Sequence, residues 1–329
     1  MANDDLQMGG RGEANPDDLV LPFRAELSGV NGRLVRLGAV VDGVLRRHDY
    51  PEPVSVALGE ALVLTAMLGT SLKHGSRLTL QTQTDGPLHL IVVDFEPPGR
   101  VRGYAGFDRS SPVVGDGTIG QGVLLGHGHL AMTIDPGEGM DLYQGVVPIE
   151  NDPLTKAALT YFRQSEQLPT FIRLAVARHY KRPLDGAADG WRWRAGGLML
   201  QHLATEGGHE INREFGADEE LPLLGDDDED WERTRFLAET VQDHELLDPT
   251  LAPERLLLRL FHEEGVRAYS TKPVEERCKC SEQRIRTMLS RFGPSELSDM
   301  TMDDGRIRVT CEFCSSVYYL TPDELRVTS

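Results

Sequence analysis

Apolar residues between positions 19 and 205 recur with two different periods, and the segments alternate. Val54 to Leu72 is apolar at helical spacing and follows the turn signal Pro51-Glu52-Pro53, which predicts a buried helix. Arg77 to Thr84 alternates Leu78 and Leu80 with Thr79, Gln81 and Gln83, the pattern of a half-buried strand. The pair Asp85-Gly86 predicts a turn, and Leu88 to Phe95 the partner strand of a hairpin. Further strands are expected over Arg102 to Phe107, Val123 to Ile134 and Leu142 to Ile149. Pro153 to Gln167 reads as a helix with Leu154, Ala158, Leu159 and Phe162 on one face, and Phe171 to Val176 and Gly197 to His202 as final strands. The fold class expected is α+β with mostly antiparallel pairing.

The pattern changes near residue 206. Glu206 to Thr250 holds 16 acidic and 3 basic residues, so this stretch carries −13 of the chain's net −18. It includes the run Asp226-Asp227-Asp228-Glu229-Asp230, interleaved downstream with Trp231, Phe236, Leu237, Val241, Leu246 and Leu247, and then a more helical piece from Pro253 to Glu264. Like charges repel, and the mixture predicts a marginally stable, partly helical linker, although a bare acidic run is most simply a solvated surface. The organisation expected is a disordered tail over 1–18, an N-terminal core domain over 19–205, an acidic helical linker over 206–270 and a small C-terminal module over 271–329.

The acidic balance argues against nucleic acid, whose phosphates require clustered cations, and against anionic membranes. No apolar run reaches membrane-spanning length: Ala61 to Leu68 is short and is interrupted by Thr65. The polar N-terminus has neither a signal-peptide core nor a transit-peptide pattern, so a reducing cytoplasm is expected. There, cysteines serve as metal ligands or redox centres more often than as structural disulfides.

All four cysteines lie in the C-terminal module, as Cys278-Lys279-Cys280 and, thirty residues on, Cys311-Glu312-Phe313-Cys314. Two close pairs joined by a short folded spacer can converge on one tetrahedral ion, and four thiolates favour zinc. No histidine lies between Thr271 and Ser329, so Cys278, Cys280, Cys311 and Cys314 are the nearby candidates as metal ligands. On motif alone a static zinc ribbon, serving as an adaptor or protein-binding module, is the commoner case. The one-residue spacing of the first pair points instead to redox chemistry, because a disulfide between near neighbours closes a small, strained and easily reduced ring. Oxidation would eject the metal, unfold the module and remove a docking surface from the linker. A thiol-disulfide enzyme is the third possibility, and it would need an exposed cysteine of low pKa.

Other motifs dissolve. Gly115-Asp116-Gly117-Thr118-Ile119-Gly120 spells a dinucleotide fingerprint, but the stretch after it reads as a strand and not as the required helix. No phosphate-binding loop supports use of ATP. His127 and His129 read as surface or core residues, and Trp191 and Trp193 as a strand with packing indoles. No enzyme active site stands out, and no catalytic residue is assigned.

At the cysteines the sequence resembles the 33-kilodalton heat-shock chaperonin family, the redox-regulated holdases of bacteria. The matching text is CKCS at Cys278 to Ser281, DDG at Asp303 to Gly305 and VTCEFCSSVYYLTPDEL from Val309 to Leu325. Upstream it includes HDYPEPV from His48, TDGPLHL from Thr84, YQGVV from Tyr143, SEQLPT from Ser165, GGLMLQ from Gly196 and LLLRLFHEE from Leu256. The resemblance implies an N-terminal α+β domain, a helical linker and a C-terminal zinc module. It implies a protein that is monomeric and inactive when reduced and zinc-bound. Oxidation would then pair Cys278 with Cys280 and Cys311 with Cys314, release zinc, unfold the linker and yield a dimer that holds unfolded client proteins without ATP. The chain departs from the family in its tail over residues 1–18 and in a longer, more acidic linker around Leu221 to Arg235.

Overall fold

The computed structural model describes residues 17–115, 119–137, 139–180, 190–202 and 228–325. The chain opens with β1 (Leu19–Ala25) and β2 (Val30–Leu37), followed by α1 (Ala39–Leu45) and α2 (Glu52–Gly69). A meander follows of β3 (Arg77–Thr84), β4 (Leu88–Glu96) and β5 (Arg100–Phe107). A short helix, α3 (Gln121–Leu125), precedes β6 (His127–Asp135) and β7 (Tyr143–Glu150), and α4 (Leu154–Tyr161) leads into β8 (Thr170–Tyr180) and β9 (Trp191–Gln201). Three helices come next, α5 (Glu229–Glu239), α6 (Asp243–Leu247) and α7 (Pro253–Phe261), then three very short strands, β10 (Val266–Ala268), β11 (Lys272–Pro273) and β12 (Glu275–Glu276). The C-terminal part comprises α8 (Glu282–Leu289), α9 (Pro294–Asp299), β13 (Ile307–Thr310), β14 (Val317–Leu320) and α10 (Pro322–Leu325).

Two sheets organise the core. The first has the order β10-β1-β2-β9-β8 with β11 also on β1, and the second β12-β5-β4-β3-β6-β7. Every pairing is antiparallel except β12 on β5, as the alternating patterns predict for an α+β fold. Helix α2 lies between the sheets. Its Val54, Leu58, Leu62, Val63 and Met67 are fully buried among residues of both, so the helix is apolar nearly all round. It is long and apolar enough to cross a membrane by length and composition, which corrects the expectation that no apolar run reaches that length. Thr65 does not interrupt it, because its hydroxyl donates back to the Ala61 carbonyl at 2.7 Å. Within this molecule the helix is the central core element.

Other expectations shift at their boundaries. The strand expected over Val123 to Ile134 is a five-residue helix followed by β6, with Gly126 at φ +70° between them. A short apolar run does not distinguish the two states by periodicity. The helix expected from Pro153 to Gln167 is α-helical only to Tyr161 and then widens into a π turn over Phe162–Glu166. Trp193 is buried in β9, whereas Trp191 is half exposed. Within the tail expected over 1–18, residues 1–16 lie outside the described residues, but Asp17 and Asp18 are engaged. Asp17 pairs with Arg194 at 2.7 Å, and Asp18 accepts from the N–H groups of Gly38, Ala39 and Val40 at the start of α1. In the acidic run, Asp226 and Asp227 lie outside the described residues. Asp228 caps α5 by accepting from the N–H groups of Asp230 and Trp231, where its charge also favours the helix dipole.

Helices α5 to α7 cover the outer face of the first sheet. Trp231, Leu246, Leu256, Leu260 and Phe261 form a second core with Leu21, Phe23, Leu34, Leu198 and Leu200, and Phe261 stacks on Phe23 with ring centroids 5.4 Å apart. Arg36, on β2, is the largest fully buried side chain on that face. Its guanidinium donates to the carbonyls of Glu245 and Asp248 at 2.9 and 2.8 Å, and also to that of Leu251. Arg194 adds a bond to the Leu247 carbonyl at 2.6 Å, and Arg173 binds Asp243 at 2.7 Å. The turn after α6 is thus fixed by cations reaching up from the sheet. Replacing Arg36 with Ala leaves three half-buried carbonyls without their donor. It should lower stability by about 2–4 kcal/mol in urea unfolding and speed amide exchange over residues 243–251 before the rest of the core.

Candidate metal centre

The cysteines converge as the spacing predicts. Cys278 and Cys280 sit in the turn between β12 and α8, and Ser281 caps α8 by accepting from the Arg284 N–H at 3.3 Å. Cys311 and Cys314 form the tight turn between β13 and β14, closed by bonds from Cys311 N to Ser316 O at 2.9 Å and from Ser315 N to Cys311 O at 2.8 Å. The four sulfurs lie within 4.8 Å of one another. The close contacts run across the pairs, Cys278 to Cys311 at 3.6 Å and Cys280 to Cys314 at 3.2 Å.

This arrangement fits a tetrahedral thiolate site. Zinc–sulfur bonds of about 2.3 Å require sulfur–sulfur edges of about 3.8 Å, close to the spacing observed. A four-sulfur donor set is what zinc takes in structural sites. Among the described residues the module's own core is Ile285, Leu289, Leu297, Ile307, Leu320 and Leu325, with Val309 and Tyr318 beside them. Structural zinc is worth about 10–16 kcal/mol in such small modules. His127 and His129 take no part: His127 bonds Asn151 at 2.8 Å on β6, away from the cysteines. Of the dinucleotide-like motif, residues 116–118 lie outside the described residues, and α3 after it has only five residues.

As free thiols the cysteines compete unequally for protons. Burial pushes Cys280 up to about 12, reinforced by the Cys314 and Cys278 thiols, even though the Tyr318 hydroxyl donates to its sulfur at 3.2 Å. Burial also raises Cys311. Burial opposes the Cys314 thiolate as well, but hydrogen bonds from the Ser316 hydroxyl and N–H, and from the Cys280 and Cys278 thiols, outweigh it and bring its pKa down to about 6.

The residues between the ligands hold the module to the core. Lys279, inside the first pair, makes an ion pair with Glu96 on β4. Phe313, inside the second, lies under the Arg102 guanidinium of β5, with the charge centre 4.0 Å from the ring centroid, and beside Tyr104. Arg102 is itself fixed by Asp94 through bonds of 2.8 and 2.6 Å. Ser315 Oγ adds contacts to the Arg47 carbonyl at 3.3 Å and to His48 Nδ1 at 3.4 Å. Burial against this turn lowers the pKa of His48. None of these contacts was legible from sequence. In the sequence Arg102 marks only the start of a strand, and no local pattern joins it to a phenylalanine far along the chain.

Comparison with known proteins assigns this antiparallel two-sheet core and the four-cysteine module docked on it. The family model described as Hsp33 protein matches residues 18–321. The chain is 44% identical over 309 residues to the 33 kDa chaperonin of Caulobacter vibrioides, covering 93% of this chain and 95% of that protein. It is 34% identical over 291 residues to the 33 kDa chaperonin of Escherichia coli, covering 88% and 87%. Among solved structures, the heat shock protein 33 homologue of Thermotoga maritima shares the fold with a TM-score of 0.72 at 21% identity, covering 94% and 97% of the two chains. The chain belongs to the Hsp33 family, whose curated relatives are named chaperonins.

Metal must displace the protons held by Cys280 and Cys311, so affinity should rise as pH rises. Between pH 6 and 8 the zinc affinity, measured by competition against a chelator of known protonation, should increase by at least about a hundredfold per pH unit, the slope for two displaced protons.

Proposed function

We propose that this chain is a redox-regulated, ATP-independent holdase of the reducing cytoplasm, with no catalytic residues. In the resting state Cys278, Cys280, Cys311 and Cys314 would hold one zinc ion as thiolates, and the protein would be monomeric. Oxidation would join Cys278 to Cys280 and Cys311 to Cys314. As each disulfide forms, its thiolate pair passes two electrons to one peroxide, which takes up two protons and leaves as two waters. The metal would depart, the module and linker would come away, and the exposed apolar surface would hold unfolding client proteins, with dimerisation accompanying the active state.

One observation carries this reading: the docking residues Lys279 and Phe313 lie inside the two ligand pairs. A change of bonding at the sulfurs must move both, so the chemistry of the centre and the attachment of the module cannot change independently. Access supports it too. An open cleft of about 510 Å³ reaches Cys278 and Cys280, lined also by Arg100, Arg277, Lys279 and Arg284. Thiolates are the sulfur form that oxidants attack.

The test follows zinc release and light scattering together. Reduced, zinc-loaded protein treated with peroxide at raised temperature should release its zinc and then suppress scattering by a guanidinium-unfolded enzyme diluted into buffer, while the untreated protein does not. Peptide mapping should find the two within-pair disulfides. Zinc loss without protection would leave the static zinc ribbon as the better reading.

A further inference from the structure

Residues 266–277, entered through the turn at Glu264 and Gly265, form an extended strap along the borders of both sheets, and its main chain does most of the holding. Leu27 N and Glu26 N donate to the carbonyls of Glu264 and Gly265 at 3.0 and 3.2 Å, and Tyr269 N donates to Pro22 O at 2.9 Å. Val274 N donates to Asp18 O at 2.7 Å, and the next residue, Glu275, donates to Gly99 O at 2.8 Å. Arg277 N then reaches Val101 O at 2.9 Å. Consecutive strap residues therefore bond to the edges of two different sheets, and those edges make one continuous line. Apolar side-chain packing adds little, since between Val266 and Arg277 only Val274 is buried. The border is shaped for backbone approach: a Cβ on Gly99 would stand 1.9 Å from the Pro273 carbonyl oxygen.

The strap begins where the linker helices end and finishes at Cys278, so its two anchors are the elements that the proposed switch would release. Resting on that reading, we infer that β1 and β5, once the strap lifts, are a client-binding surface that takes extended segments of unfolded chains as added strands. Strand addition recognises main-chain N–H and C=O groups and leaves side chains largely free. The strap is itself such a guest, extended and weakly packed. A site that holds it almost without side-chain burial will accept many sequences, as a holdase must. In the resting protein the strap also covers an edge that would otherwise invite aggregation. The ion pairs Arg100–Glu275 and Arg47–Glu276 give the strap its register, an advantage that a client segment lacks and that returns the edge to the strap on reduction.

Hydrogen exchange on the full chain tests this, with reduced, carboxymethylated α-lactalbumin as the client because it stays unfolded and has no free thiol. The strap-facing amides of Arg24, Glu26 and Leu27 should be protected in the zinc-loaded protein, exchange at least about tenfold faster after oxidation, and slow by a similar factor once the client is bound. A client retained on gel filtration while these amides still exchange freely would overturn the inference. Protection of the edges in the oxidised protein before client is added, with doubled mass, would also overturn it, by making a second copy the occupant. A strap that stays protected through oxidation, or no retained client, would mean that the holdase reading has failed and this inference with it. Arg24→Pro separates the roles further. Arg24 lies opposite Arg267, midway between the strap-bonded Pro22 and Glu26, so its N–H faces the strap. The variant should release the strap more readily yet bind client several-fold more weakly; easier release with unchanged client affinity would count against client pairing.

Discussion

Four sulfurs within 4.8 Å are tolerable as thiolates only around a cation, and the C-terminal module depends on that constraint. Two thiolates at the observed spacing repel by about 5 kcal/mol even at an effective dielectric constant of about 20. Without a metal the strain is relieved by protons, which is why burial and mutual contact hold Cys280 and Cys311 in the neutral form. The few buried side chains of the module cannot substitute for the metal. With a metal bound there, its fold would be conditional on the state of the sulfurs, in a way that the two-sheet core is not.

That condition reaches the rest of the molecule by short mechanical links. Lys279 and Phe313 pass it to Glu96 and Arg102 on the neighbouring sheet. The strap passes it along both sheet borders, and the strap leads back to α7 and the second core. No single link is strong. An exposed ion pair is worth roughly 0–1 kcal/mol, and a main-chain hydrogen bond about 1 kcal/mol net. Many weak contacts in series along one segment detach cooperatively when an end is freed, whereas the same number spread over the core would not.

The sequence disclosed those parts whose information is local. The four-cysteine spacing, the central helix after Pro51-Glu52-Pro53 and the hairpin around Asp85-Gly86 each specify themselves within a short window, and each stands where the pattern puts it. The strands of the strap were invisible because they have none of their own preference: β11 and β12 are two residues long and are strands only because edges lie beside them. Arg102 and Arg36 were equally silent, since an arginine on a strand reads as solvent-facing until its distant partners are known. The acidic linker misled in part. Its charge predicts weakness, yet Asp228 and its neighbours begin a capped helix, and the apolar residues between the charges fill a real core.

The three arginines under that linker bear on how it could ever leave. A contact made only of Leu21, Phe23, Leu198 and Leu200 against α5 to α7 would release a wholly apolar platform, which is costly in water and prone to self-association. Arg36, Arg173 and Arg194 change both terms. While docked, Arg36 gives up its hydration and receives carbonyls in return, with its Nε left without a partner. On undocking, that hydration is regained in full, so the closed state carries a penalty that opening refunds. The uncovered face would then be apolar ground studded with cations, which keeps it in solution while it remains adhesive to unfolded chains. A linker held partly by buried arginines would thus be stable enough to close and poor enough in net free energy to open, and that balance would lie with the sheet beneath it as well as with linker carboxylates such as Asp243.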